Sequence, residues 1–241
     1  MKKASLIIVL LIGLGNITYA QTVTIGTQVW MTKNLDVATF RNGDPIPQAK
    51  TVEEWRAAGD NKQPAWCYYN NDPANGAKYG KLYNWYAVND PRGLAPVGWH
   101  VPSDGEWTTL TNYLGEQAAD KLKSTSGWYV TEDIACANCA SWNQEYRNKV
   151  PCHICKDTRV IGKKKVSKGN GNNSSGFSGL PGGYRYYVGA FGPIGKYGYW
   201  WSSTEDDTGS AWYRGLDYYS GSVVRSFNYK KSGFSVRCLR D

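Results

Sequence analysis

Val101-Pro102-Ser103-Asp104-Gly105-Glu106-Trp107 is the stretch on which the fold turns. Ser103 and Glu106 stand at capping-box spacing, where the serine hydroxyl accepts from the glutamate amide and the carboxylate accepts from the serine amide. Trp107, Leu110, Thr111 and Leu114 follow at i, i+3, i+4 and i+7, so one helical face carries them. Gly115 supplies the stop, and a further helical turn is expected over 118–122. Thr51 and Glu54 repeat the device upstream and predict a short helix over 52–58, ended by Gly59.

Outward from these helices the chain reads as strands and turns. Residues 22–35 alternate apolar and polar through Val23, Ile25, Val29 and Trp30, giving strands joined at Gly26. Asn42-Gly43 marks a turn of the hairpin type. Residues 176–237 are dominated by glycine, aromatics and short alternating runs, expected as strands of one antiparallel sheet that the C-terminus closes. The composition agrees: 27 Gly, 10 Pro, 11 Trp, 18 Tyr and 5 Phe against two Met describe short strands and many turns and exclude a helical bundle. The expected class is α+β, a mixed domain of short antiparallel strands, one or two helices and long loops.

Lys2 and Lys3 precede an apolar run from Leu6 to Leu14 and the small-residue stretch Thr18-Tyr19-Ala20, the pattern of a signal peptide cleaved after Ala20. Asn16 and Thr18 interrupt it short of the about 20 apolar residues that a membrane span needs. No other segment is apolar enough to be transmembrane. Residues 21–241 are therefore expected to be exported, working in the periplasm, on the cell surface or as a secreted protein. The net charge of +8 falls to +6 without Lys2 and Lys3, and most of the remainder is local. Lys156, Arg159, Lys163, Lys164, Lys165 and Lys168 oppose only Asp157. Such a run is either a solvated loop or a contact for an anionic cell-surface polymer. No nucleic-acid module accompanies it, so nucleic acid is set aside as a partner.

Residues 131–171 hold four of the six cysteines and this basic cluster with few large apolar residues, and read as an insertion in the domain. Cys136-x2-Cys139 and Cys152-x2-Cys155 are two knuckles that can place four thiolates tetrahedrally around structural zinc. His153 could substitute as a ligand. A segment so poor in apolar residues favours the metal as its staple, whereas export favours oxidation to disulfides. Cys67 and Cys238 remain, and a disulfide between them would close a loop of about 170 residues, worth roughly 4 to 5 kcal/mol in the chain-entropy model.

Further blocks identify a family. Gln28-Val29-Trp30-Met31-Thr32-Lys33-Asn34-Leu35, Gly80 to Val88 (GKLYNWYAV), Gly98-Trp99-His100-Val101-Pro102-Ser103, Ser175 to Arg185 (SGFSGLPGGYR), Tyr199-Trp200-Trp201-Ser202-Ser203-Thr204 and Gly233 to Cys238 run in order over nearly all of residues 21–241. In these blocks the chain resembles the Fibrobacter succinogenes major paralogous domain of exported proteins. More remotely, their order is similar to the C-type-lectin-like and formylglycine-generating-enzyme architecture, which implies a strand near the C-terminus pairing back with the start. The enzyme resemblance implies an oxidase alternative with Cys67 and Cys238 as reactive or copper-binding residues.

No complete catalytic constellation is legible. His100 sits in a Trp-His-Val-Pro context that reads as buried strand, and Glu205, Asp206 and Asp207 form a polar run that is either a solvated loop or a calcium or general-acid site. What stands out is aromatic density in glycine-rich segments. Tyr186 and Tyr187, then Tyr199, Trp200 and Trp201, then Tyr218 and Tyr219 are the candidate ligand-binding residues, because ring faces stack on sugars. Adjacent Trp200 and Trp201 cannot face the same side of a strand, so at least one is expected in the core. The expected function is a non-enzymatic binding or adhesion module for a glycan or cell-surface component; the alternatives are the oxidase and a structural component of a surface assembly.

Overall fold

The structure, a computed structural model, describes residues 21–129 and 169–241. The proposed signal peptide, the basic cluster and the four cysteines of the insertion lie outside the described residues. The two flanks of that stretch meet: the Trp128 amide donates to Asn170 Oδ1 at 3.0 Å and the Gly171 amide to the Ser124 carbonyl at 3.0 Å.

The architecture is mixed, with short helices around several small antiparallel sheets. The first sheet has the order β1-β2-β11-β5, from β1 (Thr22–Ile25), β2 (Gln28–Met31), β5 (Trp99–His100) and β11 (Leu239–Arg240). β1 and β2 turn at Gly26, whose φ of +61° is the left-handed region that glycine adopts without strain. Leu239 pairs with Trp30 on one side and His100 on the other, so a strand near the C-terminus does pair back with the start. The second sheet, β10-β9-β8, is built from β8 (Tyr197–Glu205), β9 (Ser210–Asp217) and β10 (Val224–Tyr229). Two-stranded sheets join β3 (Trp66–Cys67) to β4 (Leu82–Tyr83), and β6 (Tyr184–Arg185) to β7 (Phe191–Gly192).

The C-terminal half is thus several sheets and not one. Residues 233–235 explain this, because each forms a bridge with a different partner: Gly233 with Arg185, Phe234 with Tyr83, and Ser235 with Trp200. The segment stitches sheets together instead of extending any of them.

Both capping boxes form. α1 (Val52–Asp60) is capped by Thr51 with Glu54, and α4 (Asp104–Leu114) by Ser103 with Glu106. Gly59 does not end α1; it is buried inside the helix, where an added Cβ would meet the Lys231 side chain at 3.0 Å. The chain turns instead at Lys62, with φ +54°. Gly115 does end α4, its amide donating to the Thr111 carbonyl. α5 (Ala118–Leu122) follows, while α2 (Pro73–Tyr79) and α3 (Trp85–Val88) flank β4.

The α4 face seats Trp107 against Trp30, with ring centroids 4.8 Å apart, and both against Phe177, which in turn meets Trp200 at 6.0 Å. On the other side of β8, Trp201 stacks on Phe234 at 4.3 Å in a second cluster with Tyr83, Tyr213 and Cys238. A third cluster gathers Trp55, Cys67, Tyr69 and Leu82. Because β8 runs between two packed layers, its alternation buries Trp200 and Trp201 alike, at 1% and 0% exposure. Both are core residues, which corrects their assignment to a ligand surface.

The disulfide expectation is also corrected. Cys67 and Cys238 are free thiols. In β3, Trp66 points into the cluster that holds Cys238, so strand alternation turns Cys67 into the third cluster on the opposite face. Burial pushes the Cys67 thiol up to about 11 and that of Cys238 up to about 12. Alkylation without reductant is therefore expected to label both positions only after denaturation, as peptide mapping by mass spectrometry would show; cystine at these positions would contradict it.

Guanidinium groups take the stapling role. Arg237, fully buried, donates to Asn34 Oδ1 at 2.6 and 3.1 Å, to the Phe177 carbonyl at 2.6 Å and to the Met31 carbonyl at 3.2 Å. Arg185, also fully buried, donates to the carbonyls of Ala49, Thr51 and Gly189 at 2.7 to 3.1 Å. Arg214 joins β9 to α4 through Asp104 at 2.6 Å and Thr108 at 2.8 Å.

Candidate functional site

The β8–β9 register pairs Tyr197 with Asp217, Tyr199 with Gly215 and Trp201 with Tyr213. Directly opposed residues share a face, so Tyr197, Tyr199, Tyr213 and Asp217 line one side of the sheet. β6 adds Tyr184, whose ring stacks on Tyr199 at 4.8 Å and 23°, and beyond it Tyr186, whose hydroxyl lies 2.5 Å from that of Tyr184. Tyr199 also contacts Tyr197 at 5.7 Å and Tyr213 at 5.1 Å. Five tyrosines and one acid thus form a continuous face. Tyr213 is its buried floor, Tyr184, Tyr197 and Tyr199 are half-buried, and Tyr186 is exposed.

Glycines make room for these rings. A Cβ on Gly192 would meet the Tyr184 ring at 2.3 Å, and one on Gly215 would meet the Tyr199 ring at 3.0 Å. Burial raises the phenol pKa of Tyr184, Tyr197, Tyr199 and Tyr213, and the Asp217 charge adds to the rise for the last three. The hydroxyls are therefore neutral at physiological pH and able to donate as well as accept.

Asp217 is 6% exposed, and its Oδ1 has no hydrogen-bond partner. Burial raises its carboxyl pKa, with Tyr219 and then Lys123 opposing the shift. Tyr219 is exposed and packs edge-on against half-buried Tyr218 at 5.1 Å. Tyr187, at the β6–β7 turn, is exposed and meets Tyr229 at 4.9 Å. From there exposed Tyr229 and Phe227 border a groove of about 550 Å³ lined by Asp207, Thr208, Gly209 and Ser210.

Of the expected ligand residues, the structure brings Tyr186 and Tyr199 into this face, sets Tyr218 and Tyr219 at its Asp217 end, places Tyr187 beyond Tyr186, and withdraws Trp200 and Trp201. Tyr213, Asp217, Phe227 and Tyr229 were not marked by aromatic density. The signal for the first two is period-two spacing in β9, where Tyr213, Gly215 and Asp217 fall on one parity.

The acidic run has structural work. Glu205 pairs with Lys230, Asp207 Oδ1 accepts from the Gly209 and Ser210 amides at 2.7 Å each, and Asp206 Oδ2 accepts from Ser210 Oγ at 3.3 Å.

His100 is half-buried and not a core residue. Its Nδ1 lies 2.7 Å from Asp241 Oδ1 and its Nε2 2.9 Å from Glu106 Oε1, beside a shallow pocket of about 290 Å³ that includes Arg41 and Ser203. Both ring nitrogens are occupied by carboxylates, so neither is free to take a proton from Ser203. Burial alone would lower the imidazole pKa, but the hydrogen bonds to Asp241 and Glu106 outweigh it and the net shift is upward. A histidine with a raised folded-state pKa contributes stability that is full below its unfolded value and is lost as pH rises through the folded one. The melting temperature is expected to fall from about pH 6 to pH 8 more steeply in the native chain than in His100→Gln. Parallel melting curves would remove this clamp from the account.

No curated protein and no solved structure matches the chain. Residues 23–240 match the sequence model of the Fibrobacter succinogenes major domain, a span that takes in every strand and helix above except the first residue of β1. The chain belongs to the Fibrobacter succinogenes major domain family.

Proposed function

We propose that this protein is an exported binding module that recognises a glycan through the tyrosine face. The observation that carries the proposal is the stacked Tyr184–Tyr199 pair, flanked by Tyr186 and Tyr197 and rimmed by neutral hydroxyls. Ring faces of this kind offer apolar surface to sugar C–H groups while phenol hydroxyls bond the sugar's own. The finer fold proposal, a C-type-lectin-like domain, draws support from the β2–β11 closure and from the position of α4 after β5. Structural zinc on Cys136, Cys139, Cys152 and Cys155 is proposed on their spacing alone.

The oxidase alternative has less support, since Cys67 and Cys238 occupy separate core clusters. An anionic polymer as partner rests on the basic cluster outside the described residues. A role as a structural component of a surface assembly would predict a protein partner at the exposed aromatics instead of a sugar.

The proposal predicts binding on a glycan array, with Tyr199→Ala weakening it about five- to thirtyfold, as expected for losing about 1 to 2 kcal/mol of ring contact. An array with no signal above background for the native chain would overturn it.

A further inference from the structure

Asp217 presents a problem that the fold does not solve internally. A carboxylate taken almost wholly out of water is ordinarily paired or fully hydrogen-bonded. Among the described residues Asp217 makes no ion pair; Tyr219 hydrogen-bonds its carboxylate, but its Oδ1 has no partner. The nearest cation is already committed: Lys123 donates to the Ser220 carbonyl at 2.6 Å and pairs with Asp120 at 3.6 Å. Lys196 lies over the Tyr129 and Tyr218 rings.

The tyrosine face is unusual in a second respect. Elsewhere this chain seats its own cations on aromatic faces, over Phe40, Trp55, Trp66, Tyr79, Trp99 and Trp212 among others, at 3.8 to 5.1 Å. Among the described residues, no lysine or arginine lies over Tyr184, Tyr186, Tyr197, Tyr199 or Tyr213. Ring faces carry negative electrostatic potential, and here several of them surround one buried acid. A neutral hydroxyl would supply a hydrogen bond but leave that field uncompensated, whereas a cation answers both.

Resting on the binding reading of this face, we infer that its ligand is a glycan bearing a free ammonium group, an amino sugar whose amine is unblocked, seated on the tyrosine rings beside Asp217. Such recognition is opposite in sign to the anionic polymer that net charge alone would select. The ammonium takes the place that the chain's own lysines and arginines fill on its other rings, and the pyranose faces stack on Tyr184 and Tyr199.

The test uses the full chain without its first 20 residues and two probes of equal length, a glucosamine tetramer and its fully N-acetylated counterpart, at a pH where the free amine is charged. The free-amine probe is expected to bind about tenfold more tightly. Asp217→Asn, which keeps the shape, is expected to bring the two affinities within about twofold of each other. Should that variant fail to fold, the preference of the native chain still decides. Equal binding of the two probes, or tighter binding of the acetylated one, overturns the inference and leaves the glycan reading standing. Binding of neither probe, with a blank array, overturns both. A lysine tetrapeptide that binds as tightly as the glucosamine tetramer would show that the ammonium is recognised without the sugar and would also overturn it.

Discussion

Arg237→Ala is expected to lower the stability of the domain by about 4 kcal/mol, roughly 10 °C in melting temperature for a chain of this size. The guanidinium is wholly buried and pairs with no carboxylate among the described residues. Its donors are spent on the Met31 and Phe177 carbonyls and on Asn34 Oδ1, and its plane lies 4.4 Å from the Phe177 ring centre. Truncation would strip donors from buried acceptors as much as 206 residues away from Arg237 in the chain and leave a void among them. Lysine is not an adequate replacement, because one ammonium cannot reproduce the planar fork that reaches three groups at once. Thermal denaturation checks this, and an alanine variant melting within about 2 °C of the native chain would mean that the staple contributes little.

Trp201→Ala is expected to cost about 3 to 5 kcal/mol, the range for removing a large aromatic from a packed core. Its ring stacks on Phe234 and its indole Nε1 donates to the Tyr83 carbonyl at 2.9 Å. The informative comparison is with Tyr186→Ala. That ring is exposed, so its loss is expected to leave the melting temperature within about 2 °C while weakening ligand. The pair separates aromatics that build the sheet from aromatics that face outward. Equal destabilisation by both substitutions would contradict the division drawn between them.

That division marks the limit of what the sequence could show. Helix starts were legible because a capping box is written in residues three apart, and both boxes, at Thr51 with Glu54 and Ser103 with Glu106, form as read. The pairing of a late strand with the first hairpin was legible through the family blocks. Gly59 misled because a glycine in a helix also serves close packing, here against Lys231. The two tryptophans of β8 misled because opposite faces of a strand do not imply opposite environments when both sides are covered. Cys67 and Cys238 misled because loop length says nothing about which side of a strand a thiol leaves from. Asp217 was invisible for a related reason: its importance lies in partners it lacks, which no local pattern records.

The closure of the first sheet by β11 also constrains the order in which the molecule can fold. The strand that separates β2 from β5 follows every other described strand and helix in the chain, and Arg237, which gathers Met31, Asn34 and Phe177, lies just before it, with Cys238 between. Until those residues are available, Trp30 and His100 lack the strand between them, and the two halves of the chain have no common sheet. Such distant contacts make folding slow relative to a helical chain of the same length, since loop closure must be met before any gain returns. The first sheet therefore cannot be completed from neighbouring segments alone; it closes only when β11 inserts between β2 and β5.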